Sequence, residues 1–418
     1  MALGQANTER TPEINRGYLH HIRVWSGAGV QSRWKALRDR LCSGNVLRGV
    51  LFPLAILTAA ILRIALGILA RRRPPLASPL HRSALEYVDT LVTQYPLHLY
   101  PVVAKALELA YLRSRLAALS DRPSRILEIA IGEGTLSARV FGAGAPSVTG
   151  IDLNPYSLHK ASRLPHVARA IVADGLNPPV RPGTFDLLLA TNFLHHVSQK
   201  DLAIANWSRL AERLLFNENT PSWASGWAVP YLLRRIGFAS FATRRAHAIA
   251  LQSLQHLEHL ATLERRVRSS CDLLERTSFM SERTFFLASI FSFLMRCYGP
   301  PTPPLLKRWS LGPLRGCVVP LTAALARRLI EFDAQADRSS DTFVMFLCRS
   351  RDWHGNDTRA DLLCPNCRAV LDAGDGCPDC GAHFSRRDGM LFLLPKELEM
   401  VAGAYRSEAT QGIPDEHL

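Results

Sequence analysis

Two groups of residues have types and spacing that can do chemistry. The first is Cys364-Pro-Asn-Cys367 and Cys377-Pro-Asp-Cys380, two CxxC knuckles separated by residues 368–376. Four thiolates presented by two tight turns suit a tetrahedral zinc ion. All four positions are then filled by protein, so the metal is expected to be structural. Gly381 follows the second knuckle and fits its turn. A pair of disulfides is the competing reading, disfavoured in a reducing compartment.

The second group runs from Glu128 to Asp174. Glu128 lies in an apolar strand pattern and is followed by the turn Ala130-Ile131-Gly132-Glu133-Gly134, which opens a helix. Small residues there let backbone N–H groups approach a ligand, and the helix N-terminus adds favourable partial charge for an anion. Asp152, followed by Leu153, ends the next strand, where a carboxylate can accept hydrogen bonds from both hydroxyls of a ribose. Asp174, followed by Gly175, ends the third, placed to meet an adenine edge. His195 and His196 follow a fourth strand, at the edge where open α/β sheets bind substrates. Either could serve as a general base, although such a pair also serves as packing at a helix start.

These residues need a sheet to position them. From residue 125 the chain alternates strand and helix: RILEIAI, TLSARVF, SVTGID, PYSLHKASR, ARAIVAD, FDLLLAT, a helix over 200–215 and the short strand LLFN. Such alternation predicts an α/β fold, a Rossmann-like doubly wound sheet. Residues 80–120 read as helical ahead of it. After Asn217 the alternation stops. Residues 226–337 read as mostly helical, including 242–275, and DTFVMFLC at 341–348 returns as a strand. The expectation is therefore a large helical insertion, 218–340, lying over the site inside a domain spanning 80–349. The apolar run at 285–295 is too short to span a bilayer. It would line a greasy pocket, face a membrane or simply pack in the core.

The series LEIAIGEG, GIDLNP, VADGLNPP and FDLLLATNFLHHV resembles the class I S-adenosylmethionine-dependent methyltransferases, best the small-molecule type, over about residues 125–217. That resemblance implies S-adenosylmethionine as cofactor. Glu128, Gly132 and Gly134 would hold its methionyl end, Asp152 its ribose and Asp174 its adenine, with Asn192, Phe193 and Leu194 beside the methyl sulfonium. Ala130 stands where the family has its first glycine, and the usual proline-glycine turn before the fifth strand is missing. A nicotinamide-dependent dehydrogenase is the rival, but its fingerprint wants a third glycine where this chain has Ser137. No asparagine-proline-proline-aromatic motif follows strand four, which disfavours methylation of adenine or glutamine amines. The C-terminal pattern LLCPNCRAVL with DGCPDCGAHFSRRDGMLFLLP is similar to the short zinc-ribbon proteins that activate methyltransferases. It implies a ribbon at 360–396 that docks on its own catalytic domain and stabilises it.

The remaining segments bear on partners. Residues 1–48 are a polar, basic leader, and 49–75 an apolar helix and linker. Residues 397–418 are a tail. The run 49–70, interrupted by Arg63 and closed by three arginines, becomes long enough to cross a bilayer only if Arg63 snorkels. It predicts membrane association of an otherwise cytoplasmic protein, and with 285–295 it favours a small lipophilic or membrane-associated substrate. Of 418 residues, 50 are Lys or Arg and 36 Asp or Glu, a formal charge of +14. A basic surface attracts anionic lipid or nucleic acid, so an RNA methyltransferase, or a non-catalytic membrane- or RNA-binding scaffold, stands as the alternative. Arg386 and Arg387 would serve an RNA grip, but there is no aromatic-interleaved basic patch. A hydrophobic content of 47% excludes a disordered chain, and nine cysteines in irregular spacing exclude a secreted disulfide framework.

Overall fold

The computed structural model describes residues 78–95, 98–119, 121–141, 146–221, 257–298, 312–336, 341–354, 362–371, 376–395, 398–399 and 402. The leader, the apolar run 49–70, its linker and most of the tail lie outside the described residues. So do 222–256 and 299–311 of the expected insertion. Among the described residues, no helix is long and apolar enough to cross a membrane.

The expected alternation is present. In chain order the elements are α1 (Pro79–Gln94), α2 (Leu99–Ala118), β1 (Arg125–Ile129), α3 (Thr135–Phe141), β2 (Ser147–Asp152), α4 (Pro155–Ala161) and β3 (Val167–Ala173). Next come β4 (Phe185–Ala190), a 3-10 turn (Leu194–His196), α5 (Lys200–Leu210), β5 (Ala211–Asn219), α6 (Leu260–Ser270) and β6 (Cys271–Ser281). The chain continues with α7 (Glu282–Tyr298), α8 (Gly312–Asp333), β7 (Asp341–Ser350), β8 (Leu362–Leu363), β9 (Val370–Leu371), β10 (Ser385–Arg387) and β11 (Met390–Leu393). Strands of one sheet run in the order β10-β11-β3-β2-β1-β4-β5-β7-β6. Strands β1 to β5 and β11 pair in parallel, while β7 runs antiparallel between β5 and β6.

Each face of this sheet has its own apolar core. Ile126 packs with α1, α2, α7 and α8, whereas Leu127 and Ile129 pack with α5 and α6. Successive side chains of a strand point to opposite faces, so Glu128 shares the face of Ile126, under α2. The ends of the elements are held by local chemistry. Asn154 caps α4, its side chain accepting from the N–H groups of Tyr156 at 3.0 Å and Ser157 at 3.3 Å, with Pro155 at the first helical position. Opposite the ligand edge, Asp186 accepts from Ser124 N–H at 2.8 Å and Arg125 N–H at 3.0 Å, joining β4 to the entry of β1.

The structure corrects two expectations and refines two. Residues 80–120 are helical as expected, in two helices, α1 and α2. Helix α5 ends at Leu210 instead of 215, and β5 covers Ala211–Asn219, longer than LLFN. The chain passes straight from helix to strand because Ala211 is already extended and Phe185 of β4 pairs with it. The missing proline-glycine turn is thus not needed. Residues 218–340 are not a purely helical insertion. Residues 271–281, half of which were expected to continue a helix, are the edge strand β6. Every second residue from Asp272 to Arg276 is exposed there, the period of a strand packed on one face. Finally, Phe285, Ala288 and Phe291 of α7 are buried in the main core, so these residues of the 285–295 run follow the core-packing reading.

Candidate active site and cysteine cluster

The carboxyl ends of β1, β2, β3, β4 and β5 gather the residues singled out in the sequence. After β1 the backbone takes the left-handed conformation at three positions, Ala130 (φ 55°), Gly132 (φ 56°) and Gly134 (φ 67°). That region costs a residue with a Cβ about 1–2 kcal/mol, so the turn suits glycine, and Ala130 carries the cost of the one departure. A Cβ on Gly134 would lie 2.6 Å from Leu164 Cδ1, while one on Gly132 would meet nothing within 4 Å. The first glycine lets the chain fit under α4. The second leaves open space beside the turn.

Asp152 reaches across to this turn. Its Oδ2 accepts the Gly132 N–H at 2.8 Å and its Oδ1 the Asn154 N–H at 2.8 Å. Burial nevertheless pushes its pKa up, with the backbone donors pulling the other way. Glu128 is 3% exposed and its Oε2 has no hydrogen-bond partner. Burial pushes its pKa up to about 7, against the pull of the Ser137 hydroxyl and the Lys105 charge. A buried carboxylate oxygen with no donor is costly. Asp174 closes an Asx turn on the Leu176 N–H at 2.9 Å. Gly175 is pinned by Trp207, whose Nε1 donates to its carbonyl at 2.8 Å, and a Cβ there would press Ile129 Cγ2 at 2.8 Å.

Past β4, Asn192 is left-handed (φ 57°) and its N–H donates to the Asn217 side chain. Asn192 Nδ2 and Asn217 Nδ2 both donate to Glu108 Oε1, at 3.1 and 2.8 Å, and Lys105 Nζ donates to Glu108 Oε2 at 2.7 Å. Helix α2 thereby delivers a buried, fully satisfied carboxylate to the ends of β4 and β5. Sequence reasoning missed Lys105 and Glu108. Their signal was present as a charged pair three residues apart inside the apolar run of α2, where an unpaired glutamate would not be tolerated. Of the two histidines, His195 is buried and His196 exposed. The structure thus groups Glu128, Gly132 and Asp152, and separately Asn192 with Asn217 and Glu108. It separates His195 from His196 by burial.

The four cysteine sulfurs lie within 4.8 Å of one another. Cys364 Sγ stands 3.6 Å from Cys380 Sγ, and Cys367 Sγ 3.4 Å from Cys377 Sγ. Four thiolates at 2.3 Å around a tetrahedral zinc ion would be about 3.8 Å apart, so the donor set fits that metal. The two knuckles repeat one another. In each, the first cysteine N–H donates five residues ahead, to Ala369 O and Ala382 O, both at 2.8 Å. The fourth residue after that cysteine is left-handed in both, Arg368 (φ 66°) and Gly381 (φ 67°). The Cys380 backbone N–H holds the Cys377 thiol down to about 7. Cys364 and Cys377 belong to the same apolar core as Leu127 and Trp207. Leu363 N–H donates to Pro179 O at 2.9 Å and Arg368 Nη1 to Pro178 O at 3.1 Å.

Residues 126–213 match the family model described as a methyltransferase domain. The chain carries a methyltransferase domain and is a methyltransferase enzyme. Solved structures similar to this methyltransferase include a putative sarcosine dimethylglycine methyltransferase from Galdieria sulphuraria, at 13% identity and TM-score 0.38, covering 59% of this chain and 87% of that one. The [4+2]-cyclase SpnF follows at 17% identity and TM-score 0.37, with 66% and 97% covered. The plantazolicin methyltransferase BpumL in complex with SAH matches at 13% identity and TM-score 0.37, with 70% and 100% covered. No curated protein matches the methyltransferase.

Proposed function

We propose that this methyltransferase binds S-adenosylmethionine at the carboxyl edge of β1–β4 and methylates a small molecule. The observation that carries the reading is the pairing of an orphaned, buried Glu128 oxygen with an Asp152 carboxylate tied to the Gly132 N–H. Glu128 would take the ammonium of the methionyl end, and the turn from Ala130 through Gly132 to Gly134 would pass beside it. Asp152, with Leu153 next to it, would take the ribose hydroxyls. Asp174 and Gly175 would border the adenine, and Asn192 the reacting end. The cofactor supplies a methyl group already activated on a sulfonium. The chain's part is to align the acceptor, worth up to about 7–11 kcal/mol of barrier, and to hold a proton where the acceptor releases one. The apolar run 49–70 favours a lipophilic or membrane-associated acceptor. The four cysteines would hold one structural zinc ion, and residues 360–396 would act as a ribbon docked on the catalytic domain. The contacts at Pro178, Pro179 and β3 support that docking.

Calorimetric titration with S-adenosylhomocysteine tests the cofactor reading. Micromolar binding is expected, weakened tenfold or more by Asp152→Ala, about 1.4 kcal/mol. A folded wild type that does not bind ends it. The same titration carries a pH dependence. Free Glu128 ionises near pH 7, and a bound ammonium favours its ionised form, so binding releases a proton below that pH. Affinity should therefore rise from pH 5.5 to 7.5 and level off above, with a buffer-dependent binding enthalpy. Glu128→Gln should abolish both effects. Persistence of the slope in that variant would assign it to another group.

A further inference from the structure

Beside the Asn192 turn lies a buried cluster that cofactor binding does not use. Ala190 of β4 pairs with Phe216 of β5, which sets the 3-10 turn after β4 next to the end of β5. His195 in that turn is 7% exposed, and its Nδ1 has no hydrogen-bond partner. The nearest charged group is Glu218 of β5, whose Oε1 stands 3.6 Å from that nitrogen. Glu218 is 1% exposed, and its Oε1 also accepts the Asn219 N–H at 2.8 Å. Its Oε2 holds Nζ of Lys200, the first residue of α5 and itself 1% exposed, at 2.9 Å. The neighbouring ring is that of His196, at 4.1 Å between centroids. Among the described residues, the titratable or charged groups recorded against His195 are therefore Glu218 from β5, with Lys200 from α5 behind it, and His196 in its own turn.

A buried lysine–glutamate pair is an expensive way to join a helix start to a strand end. Desolvation of the two charges consumes most of their attraction, and an apolar pair of similar size would do as well for stability. This one sets a carboxylate oxygen less than one ångström beyond hydrogen-bond reach of a buried imidazole nitrogen that has no partner. A modest rotation of either side chain closes the gap. A carboxylate at Nδ1 keeps the proton there, leaves Nε2 as the acceptor and stabilises the imidazolium.

We propose that Glu218, held by Lys200 across the β5–α5 junction, is the positioning residue that makes His195, and not His196, the general base of this methyltransferase. The inference rests on the proposed cofactor site and names the acceptor chemistry it would serve, a protonated oxygen, nitrogen or carbon acid. The acceptor X–H gives its proton to Nε2 of His195. Its freed electron pair forms the X–CH3 bond as the carbon–sulfur bond breaks, and that pair stays on sulfur, leaving a neutral thioether. The positive charge gained by the imidazole is balanced by Glu218.

Nitrogen-15 NMR of the full chain labelled at histidine tests this without knowledge of the substrate. Wild-type His195 is expected in the Nδ1–H tautomer. Glu218→Gln, which keeps the shape and removes the charge, should release the Nδ1–H preference of His195 toward the Nε2–H tautomer and leave His196 unmoved. Affinity for S-adenosylhomocysteine should stay within twofold. An Nε2–H tautomer in the wild type overturns the proposal whether or not the variant folds, and so does an unchanged His195 tautomer in a folded Glu218→Gln protein. Failure of wild-type cofactor binding would instead count against the methyl-transfer site, whatever the histidine spectrum shows.

Discussion

Emptying the four-cysteine cluster of the zinc ion proposed for it, by chelation or by Cys364→Ser, is expected to be the most damaging single change to this protein. Structural zinc sites contribute on the order of 10 kcal/mol to the fold of the module that holds them. Here that module is not confined to itself. Residues 385–393 form β10 and β11, and β11 continues the main sheet, pairing Met390 with Ala170 and Leu393 with Ala173. Leu363 and Arg368 hold the loop that follows β3. The four sulfurs lie within 4.8 Å of one another, and without the proposed metal nothing would offset the repulsion of thiolates held so close. Collapse of the knuckles exposes the edge of β3 and releases the loop behind Asp174. The expected result is one zinc ion per chain in the purified protein. Its loss should lower the unfolding midpoint steeply and weaken S-adenosylhomocysteine binding at the same time. A chain that gives up its zinc with an unchanged unfolding curve would show the cluster to be incidental to stability.

The second large effect is expected at Glu108, where the sequence offered no motif. Glu108→Ala removes the acceptor of three donors at once: Lys105, Asn192 and Asn217. Breaking a buried charge pair costs about 3–5 kcal/mol. Lys105 is a third exposed and can turn to water, which places the Lys105 share low. The buried Asn217 amide cannot do the same, and a stranded buried donor costs about 1–3 kcal/mol. A total near 3 kcal/mol is expected in urea unfolding. The same change frees the Asn192 turn, so cofactor binding should weaken more than tenfold. Glu108→Gln, which keeps an acceptor oxygen for the asparagines, should recover most of the stability. Equal losses in the two variants would mean that the charge, not the hydrogen bonds, holds the turn.

Much of the site was legible because it is local. The glycine turn lies between a strand and a helix, and its left-handed positions demand small residues wherever the rest of the chain goes. Asp152 ends its strand and Asp174 follows the last residue of the next, by counting alone. The two knuckles predict the four-sulfur cluster because cysteine pairs at that spacing suit a shared metal. The errors came where local pattern was weak. Residues 271–281 alternate exposed and shielded side chains too subtly to betray a strand beside a strongly helical segment, and only pairing with β7 makes them one. For the apolar 285–295 run core packing was the simpler reading, and Phe285, Ala288 and Phe291 are buried in the core.

The amino-acid order by itself determined the α/β alternation, the cofactor-type turn, the acids that follow it and the cysteine quartet. All of these depend on contacts within a few tens of residues. Tertiary structure alone decided that an antiparallel β7 and β6 complete the sheet, and that a tail strand extends its other edge. It alone brought a helical glutamate beneath two asparagines 84 and 109 residues away, and set a buried carboxylate beside one histidine and not its neighbour. The physical reason is the same in each case. Burial makes an unpaired charge or backbone group intolerable, so the partner must be found wherever the chain brings one, and sequence distance carries no information about where that is.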